Sequence, residues 1–244
     1  MARMRDDETF LVLGGAGMIG AQIVRQIARQ LNPRRIVVAS LYQKEVREAI
    51  EHFSREFPRV HFVGFWGDVF LRAEWNTPDR EAHRTRGQLM ESPARRAELY
   101  EDLFGETDAA YERSQLVKLI LEHRPDVVVD GINTATAISY QDVYTASAVV
   151  KSAFSERALD ELLISQSIPQ LIRHAVLIHR AMSEAGTRLY LKVGTTGTGG
   201  MGLNVPYTHS EDRPSVKLMS KTAIAFAHTG LLFLMARTQG GPVV

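Results

Sequence analysis

Short runs of consecutive apolar residues alternate along this chain with longer stretches in which apolar residues recur every three or four positions. The short runs are 10–13, 35–40, 60–65, 127–129 and 189–193. They are rich in Val, Ile, Leu and Phe and lack polar alternation, which predicts strands covered on both faces. The periodic stretches are 17–31, 43–56, 111–123, about 141–163, 169–185 and 215–237, and they predict helices. Strands alternating with helices predict a parallel sheet, and right-handed crossovers make it doubly wound, an α/β fold. Ligands of such sheets bind at the carboxyl ends of the strands, so the residues just after each strand carry the chemistry.

The first strand runs directly into a glycine turn, Gly14-Gly15-Ala16-Gly17-Met18-Ile19-Gly20, and then into a helix. Gly14, Gly17 and Gly20 recur every third position. The first permits a tight strand-to-helix turn, the second lets backbone approach a pyrophosphate, and the third lets the helix pack closely. The helix start adds free N–H groups and the positive end of its dipole, with Met18 and Ile19 in its first turn. Placed between a strand and a helix, this pattern points to a dinucleotide; the competing reading is a glycine-rich turn without a ligand.

The ends of the other strands fit that reading to different degrees. Ser40 stands where a NAD-binding protein usually carries an acid for the ribose hydroxyls. A small hydroxyl there does not repel a 2′-phosphate, and Lys44, Arg47, Arg34 or Arg35 are candidates for its counter-charge, so NADP is favoured and NAD remains an option. Asp68 follows the third strand, positioned to accept from an adenine amino group with Val69 against the ring, or simply to cap a turn. Gly131 and Ile132 follow the fourth strand and would let backbone pass close to a cofactor, while Asp130 reads as structural. Gly194-Thr195-Thr196-Gly197-Thr198-Gly199-Gly200 follows the fifth and offers hydroxyls to a substrate oxygen. It lacks the Lys-Ser/Thr ending of a P-loop.

Composition narrows the classes. The 244 residues carry 29 basic and 28 acidic side chains, a net charge of +1, which gives no electrostatic case for nucleic acid. The absence of cysteine excludes disulfides, thiolate catalysis and cysteine-bound zinc, and suits a reducing cytoplasm. The most membrane-like stretch, 222–236, reads as too short to span and is interrupted by His228, so it is expected to be a buried or interface helix. A long segment from 70 to about 112, rich in Arg, Glu and Asp and including Arg84, Arg86, Arg95 and Arg96, reads as a solvated helical insertion in a single domain spanning 1–244, or as a lid or partner surface.

Together these motifs resemble the extended short-chain dehydrogenase/reductases, the group of nucleotide-sugar epimerases and dehydratases. Gly14–Gly20 looks like that family's nucleotide fingerprint, Gly67-Asp68-Val69 its adenine-side motif, and 125–130 its fourth strand. Residues 205–212 resemble the segment before its catalytic helix, and Ser220-Lys221-Thr222-Ala223 the signature on that helix. The resemblance implies a Rossmann fold, a nicotinamide cofactor and a small-molecule substrate. It also implies Lys221 on the nicotinamide ribose, Thr196 (with Thr195 and Thr198 as rivals) on the substrate oxygen, and a homodimer through 215–237 and 141–163. The family's catalytic Tyr lies four residues before the Lys; here that position is Lys217. Tyr207 on the preceding loop and Tyr190 are the phenols that could stand in. Lys217 itself, one helical turn from Lys221, could titrate near neutrality if the two ammonium groups depress one another. The family's substrate lobe usually follows this helix, whereas this sequence stops at Val244, so that lobe is expected to be minimal or missing. The alternatives to an oxidoreductase, epimerase or dehydratase are a non-catalytic NADP-binding sensor and the nucleotide-binding lobe of a larger enzyme.

Overall fold

The computed structural model describes residues 8–76, 86–132, 143–193 and 216–244. Five strands, β1 (Thr9–Leu13), β2 (Arg35–Ser40), β3 (His61–Trp66), β4 (Val127–Asp130) and β5 (Leu189–Lys192), form one parallel sheet in the order β3-β2-β1-β4-β5. In register, Leu11 lies between Val37 and Val128, and Asp130 faces Lys192. At the outer edge of β5, Val243 makes a single parallel bridge with Leu189.

The sheet has two apolar faces because side chains alternate across it while both sides are covered. Phe10, Val12, Ile36, Val38 and Val129 point to one side and pack with Val24 and Ile27 of α1 (Met18–Leu31) and Phe53 of α2 (Gln43–Glu56). Leu11, Leu13, Val37, Val128 and Tyr190 point to the other. There they meet α6 (Gln115–His123), α9 (Ser167–Ala185) and α10 (Val216–Ala236). This is the doubly wound α/β arrangement the strand–helix alternation predicts.

Two predicted helices are broken by serine caps. The 111–123 stretch divides into α5 (Thr107–Arg113) and α6 at Ser114, whose Oγ accepts from the Val117 N–H at 3.4 Å. The 141–163 stretch divides into α7 (Val143–Ser152) and α8 (Glu156–Ile164), with Ser155 Oγ accepting from the Ala158 N–H at 3.1 Å. A serine hydroxyl satisfies an orphan amide at a helix start and gains nothing in a helix interior.

The 70–112 segment is helical but not merely solvated. Beyond a short 3₁₀ turn (Ala73–Trp75) it forms α3 (Arg86–Glu91), α4 (Pro93–Phe104) and most of α5. Leu71, Trp75, Leu89, Met90, Leu99 and Ile164 make a separate small core between it and α8. Two of its arginines are buried because carboxylates and carbonyls await them. Arg72 Nε donates to Asp102 at 2.6 Å, and Arg96 Nη1 donates to the Met90 carbonyl at 2.8 Å. Arg95 stacks on Trp75. Arg84 and the side chain of Arg86 lie outside the described residues.

The helix α10 is longer and more apolar than the 222–236 stretch suggests. Its 18 residues Met219–Ala236 have the length and hydropathy to cross a bilayer. Here His228, Leu232 and Met235 are buried, whereas Met219, Phe226, Phe233 and Leu234 are exposed.

Candidate nucleotide site

The glycine turn sits at the carboxyl end of β1, where the strand order reverses between β1 and β4. The Gly14 and Gly15 N–H groups both donate to the Ala39 carbonyl, at 2.8 and 3.0 Å, fastening the turn to the end of β2. Gly14 has φ +76°, a left-handed conformation that favours glycine. Its missing Cβ would lie 3.4 Å from Gly131. Gly131 in turn donates to the Leu13 carbonyl at 2.9 Å, so the ends of β1 and β4 meet backbone to backbone.

The other glycines divide the labour differently from the expectation. A Cβ on Gly20 would fall 2.0 Å from the Gly14 carbonyl oxygen, so this glycine closes the turn on itself rather than serving only helix–strand packing. A Cβ on Gly17 would meet nothing but the Gly14 oxygen, at 3.3 Å. Gly17 is the N-cap of α1, and the first intrahelical bond runs from the Ala21 N–H to its carbonyl. The Met18, Ile19 and Gly20 amides therefore precede the intrahelical ladder. Met18 is 86 % exposed and Ile19 55 %. Open space at Gly17 above three helix-start amides is a cradle that suits a pyrophosphate.

Beside it, Ser40 ends β2 in register with Trp66, and the Arg47 guanidinium lies 5.7 Å from the centre of the Trp66 ring. Arg47 is thus held near the carboxyl end of β2. Lys44 pairs with Glu48 at 3.9 Å. Arg35 begins β2, with Arg34 just before it, about 15 Å of strand from Ser40, so neither serves a ligand at the other edge.

Asp68 holds its own turn. Its Oδ1 accepts from the Phe70 N–H at 3.0 Å, and its N–H donates to Asn76 Oδ1 at 2.9 Å. Gly67, at φ +139°, leaves room for the Asn76 amide, which a Cβ would strike at 2.6 Å. Val69 is buried in the core, so any contact with an adenine ring falls to its backbone. Ile132 follows Gly131, and its N–H donates to Asp130 Oδ1 at 2.9 Å.

Asp130 is structural, as expected, and it anchors a buried polar cluster that the strand pattern does not reveal. Tyr190 donates its hydroxyl to Asp130 Oδ2 at 2.8 Å, and Lys192 Nζ lies 3.1 Å from Oδ1 and also donates to the Ile132 carbonyl. Burial, then the Asp130 charge, raises the Tyr190 phenol well above its ordinary value. Tyr190 is thereby locked in the core and cannot serve as a mobile proton donor. His174 of α9 and His228 of α10 approach the same cluster, with ring centres 6.0 Å apart. Burial holds both imidazoles down to about 4; Asp130 opposes the shift, and Lys192 adds to it in each. The available signal was the register: Asp130 and Lys192 are the last residues of adjacent strands and point to one face.

Lys221 lies on α10 seven residues before His228 and so on nearly the same stripe, about 10 Å along the axis. Lys217 belongs to the same helix, but its side chain, together with Thr195, Thr196, Thr198 and Tyr207, lies outside the described residues. Among the described residues no cluster of His, Asp and Glu could hold a metal ion.

The strand order 3-2-1-4-5, all parallel, with a glycine turn after the first strand, decides the architecture. The fold is Rossmann-like. No protein-family model matches the chain, and no curated protein matches it. Similar solved structures include the bulky-bulky ketone specific alcohol dehydrogenase from Comamonas testosteroni, at 12 % identity over 95 % of this chain and 68 % of that one, with a TM-score of 0.42. A short-chain dehydrogenase from Sphingobium yanoikuyae in complex with NADPH is 14 % identical over 94 % of this chain and 66 % of that one, TM-score 0.42. The L-sorbose reductase from Gluconobacter frateurii complexed with NADPH and L-sorbose is 13 % identical over 95 % and 65 %, TM-score 0.41.

Proposed function

We propose that this chain binds NADP at the Gly14–Gly20 turn and is an oxidoreductase, or a related epimerase or dehydratase, of the extended short-chain dehydrogenase type. The observation that carries the reading is the cradle at the β1–β4 reversal: an open Gly17, three amides ahead of the helical ladder, and close-set backbones at Gly14 and Gly131. A bound nicotinamide cofactor would supply the hydride chemistry. The chain's own residues hold and orient it. The Met18, Ile19 and Gly20 amides receive the pyrophosphate. Ser40 leaves room for a 2′-phosphate, and Arg47 supports it better than Lys44, which already has a carboxylate partner. Asp68 and the Val69 backbone take the adenine side, with Gly131 and Ile132 lining the passage toward the nicotinamide. Lys221 holds the ribose hydroxyls, and Thr196 orients the substrate oxygen. Tyr207 or Lys217 moves the proton.

Turnover of NADPH with a panel of carbonyl substrates tests the chemistry, with Lys221→Met, Lys217→Met and Tyr207→Phe compared in one assay. Loss of turnover in Tyr207→Phe or Lys217→Met alone identifies the proton donor. NADPH binding without turnover on any substrate favours the sensor, a reading supported by Lys217 at the position of the family's Tyr. The exposed apolar residues Met219, Phe226 and Phe233 of α10, and separately Tyr144 and Val149 of α7, support a homodimer through these helices. Light scattering should give twice the chain mass, and Phe226→Glu should halve it; a monomeric wild type at micromolar concentration refutes the dimer.

A further inference from the structure

A partly open pocket of about 70 Å³ lies on the sheet face opposite α1, between the 70–112 insertion and α9. Phe70 and Leu71 wall it on one side, Leu99 and Leu103 of α4 on another, and Gln170 and His174 of α9 close it. Its charged side chains already make hydrogen bonds elsewhere. Asp102 accepts from Arg72 at 2.6 Å and from Arg113 at 3.1 Å, and Arg173 donates to the Leu103 carbonyl and to Thr107 Oγ1 at 3.1 and 2.8 Å. Arg173 has no carboxylate partner among the described residues, and the Leu103 and Gly105 carbonyls and Thr107 occupy its N–H groups.

Two of its lining residues each carry a buried atom with no hydrogen-bond partner among the described residues, Gln170 Oε1 and His174 Nε2. Gln170 is 4 % exposed and His174 8 %. The orientation of the Gln170 amide is set by its neighbour, because its Nε2 donates to the Ile164 carbonyl at 2.5 Å. Only the NH₂ end can make that bond, so Oε1 is an acceptor with nothing to accept from. His174 stands four residues on, on the same face of α9. Its ring packs against Phe70, with centres 5.1 Å apart. A buried acceptor left unmade is costly, so a pocket with two orphan polar atoms in an apolar wall is built to receive a hydrogen-bonding guest.

We propose that this pocket binds a small neutral alcohol, whose hydroxyl donates to Gln170 Oε1 and accepts from His174 Nε2–H while its alkyl group contacts Leu99 and Leu103. An anion would meet the Arg173 charge but carries no donor for Gln170 Oε1, and a cation would meet that charge unopposed. A ketone carries no donor and would leave Gln170 Oε1 unmet. The volume is about half that of an engineered cavity that takes benzene, which leaves room for roughly three to four non-hydrogen atoms. This site is separate from the glycine turn, and no chemical step is assigned to it.

The test is a titration of the methyl-labelled protein with 2-propanol and, separately, acetone, read by NMR. The proposal expects saturable shifts with 2-propanol at the methyls of Leu99, Leu103 and Leu177, and at least tenfold weaker binding of acetone. Gln170→Met should weaken 2-propanol at least tenfold and leave acetone unchanged. If that variant fails to fold, His174→Phe keeps the ring volume and should show the same loss of discrimination. Shifts that grow linearly across the whole protein, equal responses to the two probes, or variants that retain the preference for 2-propanol would each overturn the proposal, water then being the guest. NADPH titration of the same samples separates the two sites: alcohol binding without NADPH binding refutes the nucleotide reading alone, and the converse refutes this pocket alone.

Discussion

The buried histidine pair should make the protein acid-sensitive in a defined window. His174 and His228 titrate near 4 in the folded chain and near 6.5 in an unfolded one. Between those values the unfolded chain binds more protons than the folded one, so stability falls as pH drops through 6.5 and levels off below about 4. From pH 7.5 to 5.5 each histidine accounts for roughly 1 kcal/mol of that loss, and the pair for roughly 2–3 kcal/mol. Asp130 favours protonation of both imidazoles and Lys192 opposes it, and the two rings lie 6.0 Å apart, so the second proton is harder to add than the first. Replacing both, as His174→Phe with His228→Leu, removes this contribution. Urea unfolding at pH 7.5, 6.5 and 5.5 should show wild-type stability falling more steeply than that of the double variant, with the gap between the two closing by about 2–3 kcal/mol. Parallel pH profiles for the two proteins would refute the assignment of neutral, buried imidazoles.

Other substitutions separate structure from binding. Gly20→Ala places a methyl 2.0 Å from the Gly14 carbonyl oxygen and should cost about 3 kcal/mol in chemical unfolding. Gly17→Ala, with its nearest contact at 3.3 Å, should cost under about 1 kcal/mol, and equal losses for the two would contradict the division of roles within the turn. Ser40→Asp should shift preference from NADP to NAD by repelling a 2′-phosphate and engaging the ribose hydroxyls; a wild type that already prefers NAD overturns the reading of Ser40.

Much of the sheet was legible because buried parallel strands write themselves as uninterrupted apolar runs. β2 spans the predicted 35–40 and α2 the predicted 43–56, with Pro33 shortly before the one and Pro58 shortly after the other. The helix breaks at Ser114 and Ser155 were not legible. Apolar periodicity continues through both, and each break turns on one side-chain hydrogen bond. The core of the 70–112 segment was hidden for a different reason. Arg72 and Arg96 look like surface residues until Asp102 and Asp160 arrive from 30 and 64 positions away. At the candidate nucleotide site the glycine turn and the residues after β2 and β4 could be placed from spacing alone. The demand on Gly67 could not, because it arises from Asn76 folding back across the turn. Nor could the meeting of His174 and His228, which depends on how α9 and α10 pack over β5.

NADPH binding, followed by nucleotide fluorescence, should separate the wild type sharply from Gly17→Val. In the proposed complex the pyrophosphate takes the open space at Gly17, which a valine side chain would fill. The wild type should bind saturably, and Gly17→Val should lose at least 100-fold, about 2.7 kcal/mol, with unchanged circular dichroism. Equal affinity in the two proteins, or no binding by a folded wild type, would contradict the proposed NADP site.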